Sequence, residues 1–567
     1  MLLDLQLLSE PPDVTPQGQH VRVPYSFQLV RSLSSKTDAS IEAQGTEDVY
    51  TSDYEVGQDN IEAFGLDIHN PVFILSSSVT VIFVVLTLLF PQVAAEWFGS
   101  LRVWLTTTLD WFFVYSMNFF LLFCIALAAS PLGRIRIGGP KAEARYSLLS
   151  WVAMLFAAGI GIGIMFYGVL EPMNHALRLP LNITDLGLEE TQALAMAATL
   201  YHWAFHPWAV YAVVGLSLSF FCYNKSLPLL MRSALYPIFG ERIWGWPGHI
   251  VDILAIFATL FGLATSLGYG AEQASGGLRY LFGVADSSLV QMALIAVITA
   301  LALFSVLRGL DGGIKLLSEL NMLTATALGF FVLMTTPIWS TLEHIVTSGW
   351  AYLSYLPELS TWAGRTDFYY MHDWTTFYWA WWIAFSPFVG LFIARISTGR
   401  TIREFVVGAL IAPSMIFLIW MTIFGQTAMV NYFTHGATAV ADSVRNFQPE
   451  LTLFIFLEQL PLAEVTSIVG LVLVIIFFVT SMDSGSLVVD TMAAGGKTRT
   501  PVTQRVFWCC ALAMIGIALL LGGGLNSVQA LALATAFPFT LIIILMAISL
   551  VLGLLKEREL LRDPSTS

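Results

Sequence analysis

Charged side chains are scarce in this sequence. Asp, Glu, Lys and Arg make up 11% of the 567 residues, against about 25% in a soluble globular domain, while hydrophobic residues make up 56%. The mean hydropathy is +0.73. These values exclude an ordinary soluble domain and predict an integral membrane protein surrounded by a lipid bilayer. The net charge of −13 also offers no basic surface for nucleic acid.

Catalytic motifs are missing as well. The sequence has no phosphate-binding Walker loop, no nucleophile elbow and no cluster with metal-ligand spacing. We therefore predict that the protein is not an enzyme and has no organic cofactor. His206 could relay a proton or ligate a metal, but no second ligand lies near it in sequence. A hydrogen-bonded structural role beside Pro207 is favoured.

Cysteine is rare, and its spacing fits neither a metal site nor a disulfide framework. The four cysteines lie in or at the ends of apolar segments, where packing roles are expected. They are Cys124, Cys222, Cys509 and Cys510.

The N-terminal segment lacks a basic region followed by an apolar run, so no signal peptide is predicted. Residues 1–68 are polar and acidic, and we predict a largely disordered cytoplasmic tail. Because much of the negative charge lies there, the rest of the chain is nearly neutral.

Long apolar runs fill the remainder of the chain. A membrane-spanning helix needs about 20 mostly apolar residues, and twelve segments qualify. Most Lys and Arg residues fall in alternate connections, which the positive-inside rule assigns to the cytoplasm. We therefore predict twelve spans with both termini cytoplasmic. In order, the spans are about 71–91, 109–129, 147–170, 193–223, 250–283, 287–307, 316–339, 374–396, 404–431, 464–490, 503–523 and 527–555.

The connection between spans 7 and 8 is moderately apolar and contains several aromatic residues. Residues 341–372 fit an external amphipathic helix at the membrane interface. An ordinary ordered loop fits them as well.

Span 8 begins with an unusually aromatic stretch. Eight of the fifteen residues from Trp374 to Phe388 are aromatic, and four of these are Trp. Helical spacing places five rings on one face, which could pack in a core or surround a cation that has no hydrogen to donate. The five are Tyr378, Trp381, Trp382, Phe385 and Phe388.

Three other spans contain unusual segments. Residues 157–168 of span 3 include three alternating glycines, which indicate either an interrupted helix at a transport site or close helix packing. Residues 203–211 of span 4 form a second aromatic cluster with a proline. Residues 480–486 of span 10 are rich in hydroxyl groups, which can bind a hard monovalent cation or hydrogen-bond to the preceding turn. Glu272 in span 5 is a candidate pathway residue or a structural partner of a neighbouring helix.

Together these motifs resemble the betaine/carnitine/choline transporter family. The resemblance extends from about residue 70 to 556 and is most specific at residues 373–382, Asp-Trp-Thr-Thr-Phe-Tyr-Trp-Ala-Trp-Trp. Residues 386–390, 394–397, 159–163 and 203–211 also match the family.

The resemblance implies an all-α, LeuT-like membrane fold in the bacterial inner membrane, and homotrimers are usual in the family. Two inverted five-helix repeats would comprise spans 3–7 and 8–12, preceded by two additional N-terminal helices. The implied organisation, after the 1–68 tail, is 69–146 for the two peripheral helices, 147–340 for the first repeat, 341–373 for the external segment, 374–556 for the second repeat and 557–567 for a short cytoplasmic tail.

The resemblance also implies a substrate site. An aromatic box would hold a trimethylammonium or dimethylsulfonium group by cation–π attraction, and the glycine-interrupted backbone would meet the substrate carboxylate. The implied box residues are Trp203, Trp208, Tyr211, Trp381, Trp382 and Phe385, and the implied backbone residues are Gly159, Ile160 and Gly161.

Two departures bear on the substrate. Glycine betaine carriers of the family have Trp where this chain has Phe385, so one wall of the box attracts a cation less strongly. Choline carriers tend to have Asp where this chain has Gly163, so a zwitterion is favoured over a net cation. The implied function is sodium-driven import of glycine betaine or dimethylsulfoniopropionate. Proton-coupled choline or carnitine uptake and sodium-independent substrate exchange are the alternatives.

Two sodium sites follow from the resemblance. The stronger one matches the family at every position, through Ala157, Ile160, Phe477, Thr480 and Ser481. The second would use Thr259 and Phe388, but Leu263 replaces its second Thr and cannot ligate sodium. We therefore expect sodium coupling with one strong site.

Overall fold

The computed structural model describes residues 52–159, 161–285, 287–308 and 315–562. Eleven helices in these ranges are long and apolar enough to cross a membrane. They correspond to every predicted span except the third. They are Val72–Leu89, Asp110–Ala129, Leu188–Tyr223, Trp246–Phe282, Ser288–Leu307, Leu317–Met334, Tyr369–Ile396, Ile402–Phe433, Ala463–Ala493, Val502–Leu521 and Leu525–Leu561.

The third predicted span consists of two short helices, Leu148–Gly159 and Ile162–Leu177. Gly161 before the second helix is extended, with φ −136° and ψ −163°. Glycine lacks the side chain that favours continued helical geometry, and three glycines in five residues weaken the helix here. The interruption foreseen in the sequence is therefore present. Residue 160 lies outside the described residues.

Three spans form the centre of the protein. The most apolar 18-residue windows of spans 4, 5 and 8 are 94%, 78% and 83% buried, compared with 33%, 33% and 28% for spans 1, 6 and 7. Spans 4 and 8 pack against each other, as do spans 5 and 10. The apolar surface of the outer spans is thus available to lipid or to another copy of the chain.

Spans 4, 8 and 9 are irregular. Span 4 is divided into helices Leu188–Trp203 and Phe205–Tyr223. Span 8 starts with a π-helical turn, Tyr369–Thr375, and continues as Thr376–Ile396. Span 9 contains Ile402–Met421, a π-helical turn at Thr422–Gln426, and Thr427–Phe433.

A short hairpin precedes span 1. Strands Asn60–Ala63 and Leu66–His69 pair antiparallel. Phe64 and Gly65, with φ values of 54° and 74°, form the two-residue turn that favours such hairpins. The disorder predicted up to residue 68 is therefore wrong for this hairpin. Residues 1–51 of the predicted tail lie outside the described residues.

The connections add further helices. The segment between spans 7 and 8 is a helix, Ile338–Leu359, which decides against an ordinary loop for most of it, and it packs on Leu188–Trp203. An unforeseen helix, Pro91–Thr108, links spans 1 and 2. The full helices of spans 6, 7 and 12 are Ser288–Arg308, Lys315–Met334 and Leu525–Arg562, and the short helices are Tyr236–Phe239, Ala439–Arg445 and Thr452–Glu458.

Candidate functional site

The two aromatic clusters meet where spans 4 and 8 pack together. The ring centroids of Trp203 and Trp382 are 5.2 Å apart, with planes at 79°. Trp381 stacks on Trp382 at 5.2 Å, with planes at 11°. Tyr211 approaches Trp382 edge-on at 6.1 Å, and Trp208 contacts Tyr211 at 5.5 Å. Five of the six predicted box residues therefore form one connected set of rings.

Local backbone geometry explains how span 4 contributes to this set. Pro207 has no backbone N–H, so it cannot hydrogen-bond to the carbonyl four residues earlier, that of Trp203. The helix accordingly ends at Trp203, and Ala204 is non-helical, with φ −92° and ψ −119°. Trp203 and Trp208 thus lie on separate helical segments that together face span 8.

Phe385 lies apart from the five connected rings. Its nearest ring among the described residues is Phe388, at 5.2 Å and 77°. Both phenylalanines are only partly buried, whereas Trp381 and Trp382 are 3% and 7% exposed. The role of Phe385 in substrate choice stays a prediction.

Several rings that the sequence did not assign to the site join it. Tyr378 stacks on Trp382 at 6.2 Å, and Phe417 of span 9 lies 5.2 Å from Trp203. Tyr167 and Tyr269 contact Trp381 at 6.2 and 5.5 Å. Tyr378 lies on the aromatic helical face recognised in the sequence, so it had a signal. The others are brought in by tertiary packing.

The glycines of span 3 lie beside this cluster. A Cβ on Gly163 would be 2.7 Å from Trp203 Cη2 and 3.2 Å from Trp381 Cη2. A Cβ on Gly161 would meet nothing within 4 Å among the residues that the structure describes. The absence of a side chain at Gly163 therefore lets span 3 touch the two Trp rings, whereas open space adjoins Gly161 at the start of helix Ile162–Leu177.

Two buried polar groups of the cluster have no hydrogen-bond partner among the described residues. They are the indole N–H of Trp381 and the hydroxyl of Tyr211. By contrast, Trp382 donates to the His202 carbonyl at 2.8 Å, and Trp203 donates to the Glu171 carboxylate at 2.7 Å. An unsatisfied buried donor costs free energy, so the two free donors are suited to a polar ligand.

Glu171 is the main feature that sequence reasoning missed. This residue of helix Ile162–Leu177 is fully buried, and its carboxylate contacts four donors. Oε1 lies 2.6 Å from His202 Nδ1 and 3.3 Å from His175 Nε2. Oε2 accepts from Trp203 Nε1 at 2.7 Å and from the Tyr378 hydroxyl at 2.5 Å.

Glu171, His175 and His202 also have the donor atoms of a metal site. One ligand atom from each lies within 4.8 Å of the other two. No such cluster was predicted, although the four-residue spacing of Glu171 and His175 on one helix was a weak signal. In this arrangement all three side chains already make hydrogen bonds within the protein. We therefore describe them as a hydrogen-bonded cluster.

The predicted strong sodium site is described in part. Thr480 Oγ1 donates to the carbonyls of Ile476 and Phe477, at 3.0 and 3.1 Å, and its lone pairs remain available to a cation. Ser481 is partly exposed beside it. Ala157 lies in helix Leu148–Gly159, and Ile160 falls outside the described residues. Span 10 packs against Ile162–Leu177, the second helix of span 3.

The second predicted sodium site has Leu263 where the family has its second Thr, as the sequence indicated. Thr259 is fully buried and donates to the Ala255 carbonyl at 2.8 Å. Leu263 one turn later is also fully buried, and its side chain fills the space over Gly485 of span 10. Leu263 thus has a packing role at this position.

His206 packs against Trp379, outside the rings named above. His206 is buried, its Nε2 lies 3.0 Å from Asn118 Oδ1, and its ring stacks on Trp379. This supports the structural role favoured from the sequence. Glu272 is partly buried on span 5.

Comparison with known proteins identifies the family. The model of the betaine/carnitine/choline transporter family, BCCT, matches residues 71–559. The chain belongs to this family. It is therefore a membrane transporter and not an enzyme, as the sequence predicted.

Named relatives of this BCCT protein are bacterial transporters. A glycine betaine/proline/choline transporter of Vibrio parahaemolyticus is 50% identical over 90% of this chain and 95% of its own length. Glycine betaine transporter 1 of the same organism is 47% identical, over 90% and 98%. A glycine betaine transporter of Acinetobacter baylyi is 41% identical, over 86% and 73%.

Proposed function

We propose that this BCCT protein is a secondary active importer of a zwitterionic methylated onium solute, glycine betaine or dimethylsulfoniopropionate, driven by sodium symport. The observation that carries the proposal is the contact of Trp203 with Trp382 beside the glycine-interrupted span 3. An onium group has no hydrogen to donate, so aromatic faces attract it, at about 0.5–2 kcal/mol per contact.

The carboxylate of such a solute matches the remaining polar groups. Trp381 and Tyr211 supply two buried donors that are unpaired among the described residues. The N-terminus of helix Ile162–Leu177 favours negative charge, and the open space beside Gly161 lies at that end. A zwitterion would thus find an aromatic region for its cation and donors for its anion.

Alternating access is supported by the way that the two groups of five spans contact each other. Span 4 packs on span 8, span 3 packs on span 9, and span 5 packs on span 10. Inverted repeats comprising spans 3–7 and 8–12 would relate span 3 to span 8, span 4 to span 9 and span 5 to span 10. The contact between spans 4 and 8 would then be equivalent to the contact between spans 9 and 3, and spans 5 and 10 would meet as counterparts. We propose this LeuT-like arrangement of twelve spans, with both termini cytoplasmic and a homotrimer as the assembly.

Sodium coupling rests on the hydroxyl groups of span 10. Thr480 and Ser481 offer neutral oxygen ligands of the kind that hard cations prefer. Because Leu263 cannot ligate, one strong sodium site is proposed, and the transport rate should rise with sodium without strong cooperativity.

Uptake by the purified protein in proteoliposomes tests the function. We expect an inward sodium gradient to drive accumulation of radiolabelled glycine betaine, and Trp382→Ala to abolish it. Trp97→Ala is the matched control, because Trp97 is 69% exposed on helix Pro91–Thr108. Uptake at the same rate with and without sodium would refute the symport, and counterflow in the absence of sodium would instead indicate an exchanger.

Competition between solutes tests the substrate class. Glycine betaine and dimethylsulfoniopropionate should displace labelled glycine betaine better than choline or carnitine, because Gly163 supplies no negative charge. Two relatives from Vibrio parahaemolyticus carry choline in their names. If choline competes best, proton-coupled choline uptake becomes the preferred function.

A further inference from the structure

We infer that Glu171 is a positioning residue that holds two rings of the substrate site and supplies the negative charge that a bound onium group experiences. This inference rests on the proposed function. The Glu171 carboxylate is not itself a ring of the cluster, but it accepts hydrogen bonds from two of the rings, Trp203 and Tyr378.

The hydrogen-bond pattern indicates the charge of the cluster. An ionised carboxylate accepts at about four lone-pair positions, and Glu171 has four donors. His202 Nδ1 can donate to Glu171 while its Nε2 accepts from the Thr375 hydroxyl at 2.9 Å. His175 Nε2 can donate to Glu171 while its Nδ1 accepts from the Asn174 amide at 3.4 Å. Two neutral imidazoles are compatible with every contact, and the inference assigns the cluster one net negative charge on this basis.

The same contacts fix the rings. Trp203 is held by its indole N–H and Tyr378 by its hydroxyl, on different spans, by one carboxylate. His202 extends this control to a third ring, because its backbone carbonyl accepts from Trp382 Nε1 at 2.8 Å. Charge-assisted hydrogen bonds are shorter and stronger than neutral ones. Glu171 therefore sets the orientation of rings on both spans 4 and 8.

Polarisation connects this geometry with cation binding. When an indole N–H or a phenol O–H donates to a carboxylate, electron density on the ring rises, since linked hydrogen bonds polarise one another. The more negative ring face attracts a cation more strongly. Burial strengthens the effect, because the charge is poorly screened. Glu171 thus provides negative charge at the polar edges of Trp203 and Tyr378, although Gly163 provides none.

Binding to Glu171→Gln tests this inference through the charge of the ligand. Tryptophan fluorescence of the full-length protein in detergent with sodium should give dissociation constants for glycine betaine and for 3,3-dimethylbutanoate, its uncharged-headgroup isostere. We expect Glu171→Gln to lower the preference for glycine betaine over the isostere by roughly tenfold. An equal loss for both ligands, or no loss, would overturn the inference.

Two further variants keep the test decisive. Gln192→Leu removes a buried hydrogen bond to Gln426, 2.9 Å long, that involves no ring of the cluster. This control should destabilise the protein without changing the preference. If Glu171→Gln does not fold, Tyr378→Phe removes one of the two contacts to the rings, and the preference should fall by a smaller factor. An unchanged preference in Tyr378→Phe also contradicts the inference.

The same binding measurements distinguish a failure of the Glu171 inference from a failure of the proposed function. If the unaltered protein binds no onium solute, the proposed function fails before Glu171 is considered. If it binds glycine betaine in preference to the isostere and the variants keep that preference, only the role of Glu171 fails. A zinc titration of the same samples tests whether this cluster is a metal site. If zinc stabilises the protein against unfolding and Glu171→Gln abolishes that stabilisation, Glu171 is a metal ligand and the role given to the free carboxylate is overturned.

Discussion

Gly163 shows how a single residue can limit what the site accepts. In the sequence it stands where choline carriers of the family tend to have Asp, and the missing negative charge favoured a zwitterion over a net cation. In the structure its α-carbon faces Trp203 and Trp381, and a Cβ would approach their ring edges to 2.7 and 3.2 Å. Trp203 cannot easily retreat, because its indole is hydrogen-bonded to Glu171. Space, as well as charge, is therefore limiting at this position.

Substitution of Gly163 tests that limit. Gly163→Ala should weaken glycine betaine binding at least about tenfold, because a contact below 3.0 Å forces the rings to shift, which costs about 1–3 kcal/mol. Gly163→Asp should lose glycine betaine binding without gaining choline binding. Isothermal titration in detergent measures both. The matched control is Gly516→Ala on span 11, where a Cβ would meet Ile295 Cδ1 at an ordinary distance of 3.9 Å, and it should retain folding and binding. Tight choline binding by Gly163→Asp would show that charge alone decides.

At the scale of elements, spans 5 and 10 pack together through Leu263, which stands where the family has a sodium-binding Thr. Leu263 Cδ1 would lie 2.2 Å from a Cβ on Gly485. The pair is therefore complementary: the large side chain of one span requires the missing side chain of the other. Close-packed interiors tolerate neither added nor removed volume well.

A double-mutant cycle measures this complementarity. Gly485→Ala should destabilise the protein by about 1–3 kcal/mol because it overpacks the contact. Leu263→Ala should cost about 2–5 kcal/mol because it leaves a cavity. In the double variant the new methyl group occupies part of that cavity, so the combined loss should be smaller than the sum. Denaturation in detergent supplies the values, and strict additivity would show that the two residues do not interact.

At the scale of the whole molecule, the hairpin Asn60–His69 ties the N-terminal side of the protein to span 11 and to the connections that follow spans 4 and 10. Asp67 pairs with Lys497 at 2.6 Å, after span 10, and its backbone N–H donates to Gln504 of span 11. His69 Nε2 accepts from Arg232 at 3.2 Å. Burial, together with the positive Arg232 and with His249, lowers the pKa of His69 to about 3. The hairpin is thus anchored by a histidine that stays neutral.

Acidification should loosen this anchor. The unfolded chain has a histidine pKa of about 6.5, above the folded value, so the unfolded state binds more protons as the pH falls below 6.5. Stability from His69 is complete above that pH and decreases towards pH 3, by about 1 kcal/mol at pH 5.5. Thermal unfolding at pH 7.5 and 5.5 should show a smaller decrease in midpoint for His69→Gln than for the unaltered protein. Equal decreases would exclude His69 as a contributor.

The sequence by itself determined the class of protein and most of its spans. Hydropathy and helical spacing are properties of consecutive residues, so the apolar spans, the glycine interruption and the aromatic face from Tyr378 to Trp382 could be read directly. The hairpin was missed, because its stability depends on contacts with the ends of distant helices. The aromatic box was placed through the family resemblance, and its ring geometry followed only from the structure.

Tertiary structure alone decided which residues contact those rings and how the spans around them pack. Glu171 is separated in sequence by 31 residues from His202 and by 207 from Tyr378, yet one carboxylate contacts both. Gly163 is closed by rings from two other spans, and Leu263 is matched to Gly485 of a third. No periodicity encodes such pairs, because they depend on how whole helices pack. The charge and the space of the site are therefore set by packing.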